Sequence, residues 1–207
     1  MRARYSKTVA QTASGRKGAR RGALLAAAAL ACLSLLLLEA RGATAIAATL
    51  EQLIDGADTV VVGKVVAIES RWNAEHTKIY TYTTLEVEEY LKGDGPSTVT
   101  IRALGGQVDD KVMYVEGIPR FQLDRREAVF LETFAPEADT FSIRAWEQGR
   151  FRVLRDPDTG QDMLQRSLSG TRLVRGAQSV SDTSRQFGAI QTLDDLRTAV
   201  RSRTEGR

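Results

Sequence analysis

Residues 59–70, TVVVGKVVAIES, decide how this chain of 207 residues folds. Val and Ile dominate the stretch, and β-branched side chains favour a strand over a helix. Its apolar residues follow one another almost without alternation, which is typical of a strand covered on both faces. Gly63 interrupts the run and predicts a bend or bulge, which lets a sheet curl into a barrel.

Strand patterns continue along the chain. Residues 79–88 alternate between an apolar or hydroxyl face and a wet face that carries Tyr80, Tyr82 and Glu86, the period of a half-exposed strand. Further strands are predicted at 98–106, at 128–134, at 141–154 with a break around Gln148 and Gly149, and in a hairpin at 155–166. Many short strands with glycine and turn residues between them predict a sandwich or a small barrel.

A short helix is predicted at each end of this mainly β body. Thr49 caps the first helix and Gln52 completes a capping box, while Thr192 caps the last helix. The predicted domains are a β-barrel at 48–166, a polar linker at 167–190, and a C-terminal helix at 191–203 that packs on the barrel.

Residues 1–47 have the pattern of a secretory signal peptide. A basic segment without acids precedes an apolar run at 23–38, and small residues follow at Ala45 and Ala47. The run is shorter than the roughly 20 residues that span a membrane. We expect export to the periplasm or the medium, with cleavage after Ala47 or Ala45. The general and the twin-arginine export routes both stay open.

Removal of this segment changes the charge of the chain. It takes away eight of the 29 basic residues, one of the 26 acidic residues and the single cysteine, Cys32, and leaves a net charge of about −4. This charge gives no reason to expect nucleic acid or anionic lipid as a partner. Contact with a membrane is expected only through the signal peptide during export, and the fold must depend on packing rather than on disulfides.

Catalytic motifs are scarce in the sequence. His76 is the single histidine and lies in a polar connecting segment, where we favour a solvated side chain over a catalytic or metal-binding one. Asp109 and Asp110 could serve a hydrolase that uses paired carboxylates, although adjacent acids in a loop usually face solvent. The sequence contains no familiar nucleophile, zinc or phosphate-binding motif, and we expect no cofactor.

One pattern suggests a metal site. Asp156, Asp158 and Asp162 alternate as the ligands of a calcium loop do. The later bidentate Glu of such a loop is missing, and Asp-Pro-Asp with a following glycine is a common hairpin turn. We therefore favour the turn over the calcium site.

Aromatic and cationic side chains supply the candidates for binding. Tyr80, Tyr82 and Glu86 could form a binding surface, or the final helix or the linker could cover them. Arg150 and Arg152 belong to an arginine-rich span that could meet an acidic partner or a polysaccharide. A solvated face is the interpretation we favour for that span.

The segments ADTVVVGKVVAIES, YTTLEVEEYLKGD, VTIRALGG and EAVFLETF lie between residues 57 and 134. They resemble the strand pattern of netrin-like domains, including the tissue inhibitors of metalloproteinases, and of exported bacterial proteins with similar segments. The resemblance implies a five-stranded OB-type barrel with flanking helices. In the inhibitors a cysteine at the mature N-terminus binds the catalytic zinc, and this chain has no cysteine after cleavage, so that mechanism does not carry over.

These observations favour an exported, non-catalytic binding domain with an OB-like or netrin-like β-barrel. Its expected partner is another exported protein or a cell-envelope component, and a role as inhibitor or accessory of an exported protease is included. The alternative is an exported hydrolase that uses carboxylates. The oligomeric state stays open.

The prediction of export can be tested on chain recovered from the periplasm or the culture medium. Intact-mass measurement and N-terminal sequencing should find a chain that begins at Ala48, or at Ile46 if Ala45 directs cleavage. A recovered chain that still begins at Met1 would contradict the predicted cleavage.

Overall fold

A computed structural model of the chain describes residues 43–134, 140–166, 171–175, 178–180 and 191–206. The chain forms two units, residues 1–41 and 42–207, and every described residue belongs to the second. Most of the predicted signal peptide therefore lies outside the described residues. Within the described part, no helix has the length and hydropathy needed to cross a membrane.

Twelve strands, two α-helices and one 3₁₀ helix make up the described residues. The first half contains β1 (Ala43–Ile46), α1 (Leu50–Gly56), β2 (Thr59–Trp72), β3 (Ile79–Lys92), β4 (Thr98–Leu104), β5 (Gly106–Val108) and β6 (Lys111–Met113). The second half contains β7 (Arg126–Thr133), β8 (Thr140–Ile143), the 3₁₀ helix (Trp146–Gly149), β9 (Arg150–Arg155), β10 (Asp162–Gln165), β11 (Thr171–Arg175), β12 (Gln178–Val180) and α2 (Leu193–Glu205).

Five strands close into a ring. Each strand of the order β7-β2-β3-β4-β8 bonds to the next, and β8 returns to pair with β7. The β4–β8 contact is parallel, and the other four pairings are antiparallel. The predicted mainly β, OB-like barrel with a short helix at each end is therefore confirmed.

Strand β2 is covered on both faces, as its run of valines predicts. Val61 and Val65 pack inside the barrel, whereas Val60 and Val62 belong to a second core on the outside. Successive side chains of a strand point to opposite faces, so consecutive valines feed both cores. Strand β7 follows the same rule, because Phe130 packs in the outer core and its neighbours pack in the barrel.

The outer core lies under the two helices. Leu53 and Ile54 of α1 pack there with Leu193, Leu196 and Val200 of α2, and all five side chains are buried. Helix α1 begins with the predicted capping box of Thr49 and Gln52, and Thr192 caps α2 as predicted and also forms a capping box there with Asp195.

Polar contacts hold the helices at their ends. Lys92 Nζ, at the end of β3, donates to the carbonyl oxygens of Ile54 and Ala57 at 2.7 and 2.5 Å, where α1 ends. A cation at a helix C-terminus also complements the helix dipole. Arg203 of α2 binds Asp55 of α1 in a salt bridge, with Nη2 2.5 Å from Oδ2.

Gly63 lies at a bulge, as predicted. The register between β2 and β3 shifts between Val62 and Gly63, and two further shifts occur in the same strand pair. A Cβ atom at Gly63 would lie 2.5 Å from the backbone oxygen of Glu86, closer than real Cβ atoms approach. Only glycine allows the backbones of the two paired strands to approach this closely.

The region around the 3₁₀ helix differs from the sequence prediction. Residues 141–154 were expected to form two strands around Gln148 and Gly149, and the 3₁₀ helix separates β8 from β9 there. These two strands do not pair with each other, because each pairs with a different part of β7. Strands β9 and β10 extend the sheet beyond the ring.

Segments near the predicted domain boundaries also contain strands. Strands β11 and β12 lie within the predicted linker, and β1 lies at the end of the predicted signal peptide. Strand β11 pairs in parallel with β1 and antiparallel with β12, which gives a separate three-stranded sheet. The rest of residues 167–190 lies outside the described residues.

Replacement of Gly63 by Ala tests the role of the bulge. Because the new Cβ meets backbone rather than a flexible side chain, we expect the free energy of unfolding to fall by about 1–3 kcal/mol. Urea unfolding followed by circular dichroism measures this change. Val66→Ala, at an exposed position of the same strand, should change stability by less than about 0.5 kcal/mol. Equal effects of the two substitutions would contradict the close strand contact.

Candidate functional site

A polar cavity lies beside β9. It has a volume of about 380 Å³ and is bounded by residues 114–120, the 3₁₀ helix, β9 and the end of β10. Five charged side chains line it, namely Arg120, Glu147, Arg150, Arg152 and Arg166.

The alternation of β9 places two of these arginines on the same face. Phe151 and Val153 point into the outer core under the helices. Arg150 and Arg152 occupy the intervening positions, so they point to the opposite face of the sheet. There Arg152 lies directly across from Glu127 of β7.

A buried ion pair holds one of the arginines that line the cavity. Glu127 is fully buried, and Arg150 is 8% exposed. Arg150 Nε and Nη2 each donate to one carboxylate oxygen of Glu127 at 3.1 Å. Its Nη1 donates to the backbone oxygen of Arg120 at 2.7 Å, and its guanidinium lies 5.0 Å from the ring centroid of Phe121. These contacts leave the Arg150 side chain little freedom to move.

The segment over the cavity is tied to the body of the site. Gly117 adopts a positive φ of 77° there, a conformation that glycine allows without strain. Its carbonyl accepts a hydrogen bond from the backbone N–H of Glu147 at 3.2 Å. This contact and the bond from Arg150 to the Arg120 carbonyl hold two positions of residues 114–121, which we call the roof segment.

Electrostatics make the cavity positive. Burial raises the pKa of Glu127, while the guanidiniums of Arg150 and Arg152 act in the opposite direction. Burial lowers the pKa of Arg166 to about 9, which still leaves this side chain protonated at neutral pH. Four arginines and one carboxylate, that of Glu147, therefore line the cavity, while the buried Glu127 pairs with Arg150, so the site attracts anions.

Gln148 joins the site to the start of the described chain. Its side-chain amide donates to the carbonyl of Ile46 at 3.0 Å and accepts from the N–H of Ala48 at 2.8 Å. Its backbone carbonyl accepts a hydrogen bond from Arg166 Nη2. Gln148 therefore holds both the N-terminal segment and one of the arginines that line the cavity.

The structure separates the binding candidates into two places. Arg150 and Arg152 line the cavity. Tyr80 and Tyr82 lie on the barrel, where the guanidinium carbons of Arg102 and Arg71 stand 3.6 and 3.8 Å from their ring centroids. Arginines of neighbouring strands therefore stack on both rings. Glu86, further along the same strand, is exposed.

The acids of the proposed calcium loop have other contacts. Asp156 Oδ1 accepts hydrogen bonds from the backbone N–H groups of Asp158 and Thr159 at 2.8 and 3.0 Å, which is the pattern of a hairpin turn. Asp162 forms salt bridges with Arg126 and Arg155. Among the described residues, no cluster of acidic, His or Cys side chains could hold a metal ion.

The other catalytic candidates lie in exposed turns. Asp109 and Asp110 are exposed in the turn between β5 and β6, where Asp110 pairs with Lys111 at 3.1 Å. His76 lies between β2 and β3 and stacks on Trp72 with a centroid distance of 6.0 Å. None of these three candidates lines the cavity.

Sequence reasoning missed Arg120, Glu127 and Glu147, whereas Arg166 lies in the same arginine-rich span as Arg150 and Arg152. Glu127 of β7 lies directly opposite Arg152 of the neighbouring strand β9. Opposite charges at such positions stabilise a strand pair. That pairing is the signal that could have identified Glu127, but it requires the register of β7 against β9.

Comparisons with known proteins give no relationship, since neither the models of protein families nor the curated proteins contain a match to this chain. The assignment of a function therefore depends on the geometry of the site.

Substitution of Arg150 by Met tests the buried ion pair. Loss of one partner leaves Glu127 buried without its main counter-charge, so we expect the free energy of unfolding to fall by about 3–5 kcal/mol. The loss also raises the pKa of Glu127 further. A carboxyl whose pKa is higher in the folded state contributes stability at low pH that is lost as pH rises. The deficit of the variant relative to wild type should therefore grow between acidic and neutral pH, as measured by urea unfolding.

The double variant Arg150→Met, Glu127→Leu provides the control for this experiment. It removes both charges and should recover most of the lost stability, because no carboxylate remains buried alone. A deficit that does not change with pH, or a double variant as unstable as the single one, would contradict the proposed role of the pair.

Proposed function

We propose that the chain is an exported, non-catalytic binding domain whose cavity holds an anionic group of another exported protein or of a cell-envelope component. The observation that supports this proposal is the set of four arginines around one cavity. A guanidinium is planar and presents its donors in a fork that matches carboxylate and phosphate oxygens. Export is supported by the signal-peptide pattern of residues 1–47.

The size and rigidity of the cavity suit this function. Ligand pockets commonly measure about 300–1,000 Å³, and the volume of about 380 Å³ suits one small group or one unit of a polymer. Arg150 is already held in place by Glu127 and by the carbonyl of Arg120. A side chain fixed before binding loses little entropy when the ligand arrives, which favours affinity.

The geometry favours binding over hydrolysis by carboxylates. A glycosidase needs two carboxyl groups on either side of the bond that it cleaves. Asp109 and Asp110 lie in one exposed turn and Asp156 lies in another. At the cavity, Glu127 is already bound by Arg150, which occupies both of its oxygens.

Calorimetric titration of the exported chain with sodium phosphate and sodium citrate tests anion binding. We expect heat of binding that decreases with added salt, because screening weakens attraction between charges. Arg120→Gln and Arg152→Gln should each weaken the affinity about tenfold, since one hydrogen bond to a charged group is lost.

Arg201→Gln is the matched control. It removes the same charge from an exposed position of α2 that does not line the cavity. Its affinity should equal that of wild type. No heat with either anion, or an equal loss of affinity in Arg201→Gln, would contradict the cavity as the binding site.

A further inference from the structure

One wall of the cavity carries a carboxylate that repels simple anions. Glu147 is 9% exposed, and its Oε2 atom is buried without a hydrogen-bond partner among the described residues. Burial raises the pKa of Glu147, and the charges of Arg150 and Arg166 act in the opposite direction. An anion that offers only acceptor oxygens binds the arginines but forms no hydrogen bond with the Glu147 carboxylate.

A donor of the same cavity also lacks a hydrogen bond. Arg152 Nε is buried with no hydrogen-bond partner in the described part of the chain. The carboxylate oxygen Oε1 of Glu127 lies 3.9 Å from it, which is beyond hydrogen-bond distance. Buried polar atoms without partners are rare in folded proteins, and each one requires an explanation.

These two buried atoms require opposite kinds of hydrogen-bond partner. Glu147 Oε2 requires a donor and Arg152 Nε requires an acceptor, and both side chains line one cavity. A ligand that offers a donor and an anionic acceptor on the same small framework would satisfy both. A carboxylate with a neighbouring hydroxyl group has this composition.

We infer that the cavity binds a hydroxy acid, and specifically the uronate unit of an acidic saccharide. This inference rests on the proposed function, because it names the anionic group that the arginines hold. The uronate carboxylate accepts hydrogen bonds from the guanidiniums, and a ring hydroxyl donates to Glu147.

Other anions fit the site less well. Sulfate at neutral pH offers acceptors alone, so it would place negative charge beside Glu147 without a donor between them. The carboxylate of an acidic side chain in a peptide has no hydroxyl group on its own short carbon chain, whereas a uronate carries hydroxyl groups on the ring that bears its carboxylate. A cavity of about 380 Å³ is also larger than a bare oxyanion requires and has room for a sugar ring.

Calorimetry with three small probes tests this selectivity. Galacturonate carries the carboxylate and the hydroxyls, cyclohexanecarboxylate carries the same acid on a ring without hydroxyls, and galactose carries hydroxyls without the acid. We expect galacturonate to bind about tenfold or more tightly than either of the others, because it makes one further hydrogen bond to a charged group.

Two variants of Glu147 identify the residue responsible. Glu147→Met removes the acceptor and should bring the affinity for galacturonate to within about twofold of that for cyclohexanecarboxylate, while cyclohexanecarboxylate still binds. Glu147→Gln keeps the size and one acceptor oxygen and should retain part of the preference. Continued binding of cyclohexanecarboxylate by both variants shows that they remain folded.

The outcomes separate the inference from the proposed function. Equal affinity of wild type for galacturonate and cyclohexanecarboxylate overturns the hydroxy-acid inference and leaves the anion site standing. Tighter binding of N-acetylaspartate than of galacturonate overturns it in favour of an acidic peptide. If phosphate, citrate and all these probes fail to bind, the proposed function fails as well.

Discussion

Strands β2 and β7 form a wall with an apolar core on each side, and the rest of the structure depends on this wall. Val61 and Val129 fill the barrel, while Val60 and Phe130 meet the helices, and all four side chains are fully buried. Burial of each such side chain stabilises the fold by about 1.5–3 kcal/mol. Exposure of either face would forfeit half of this stabilisation, so the barrel and the helical layer require each other.

The fold could be predicted because this constraint is visible in short stretches of sequence. Consecutive valines indicate a strand with two buried faces, and Gly63 indicates the bulge at which the strand bends. The capping boxes at Thr49 and Thr192 depend on residues three positions apart, so they too can be read locally.

Unusual backbone conformations and long-range strand pairings were not predictable in the same way. The 3₁₀ helix begins after Ala145, and both Ala145 and Trp146 adopt a positive φ. Neither Ala nor Trp favours this conformation, so the sequence does not predict it. Strands β11 and β12 lie in a stretch whose composition indicates a linker, and they form because partners elsewhere in the chain supply hydrogen bonds. Composition does not reveal such partners.

The site shows the same division between local and distant information. Arg150 and Arg152 stand out in the sequence because arginines are frequent around them. Glu127 and Glu147 do not stand out, because their importance comes from burial, and the charge of a residue alone does not tell whether it is buried. Only the pairing of β7 with β9 and the position of the 3₁₀ helix bring these carboxylates to the arginines.

Of the arginines that line the cavity, Arg150 and Arg152 belong to β9, Arg166 follows β10, and Arg120 belongs to the roof segment. All four lie outside the ring of five strands. The ring contributes Glu127 of β7, which binds Arg150, and leaves the lining of the cavity to peripheral elements. Changes in this lining can therefore redirect the chemical preference of the cavity while barrel closure stays intact. This architecture gives related chains, or a protein engineer, a stable frame on which new specificities can be built.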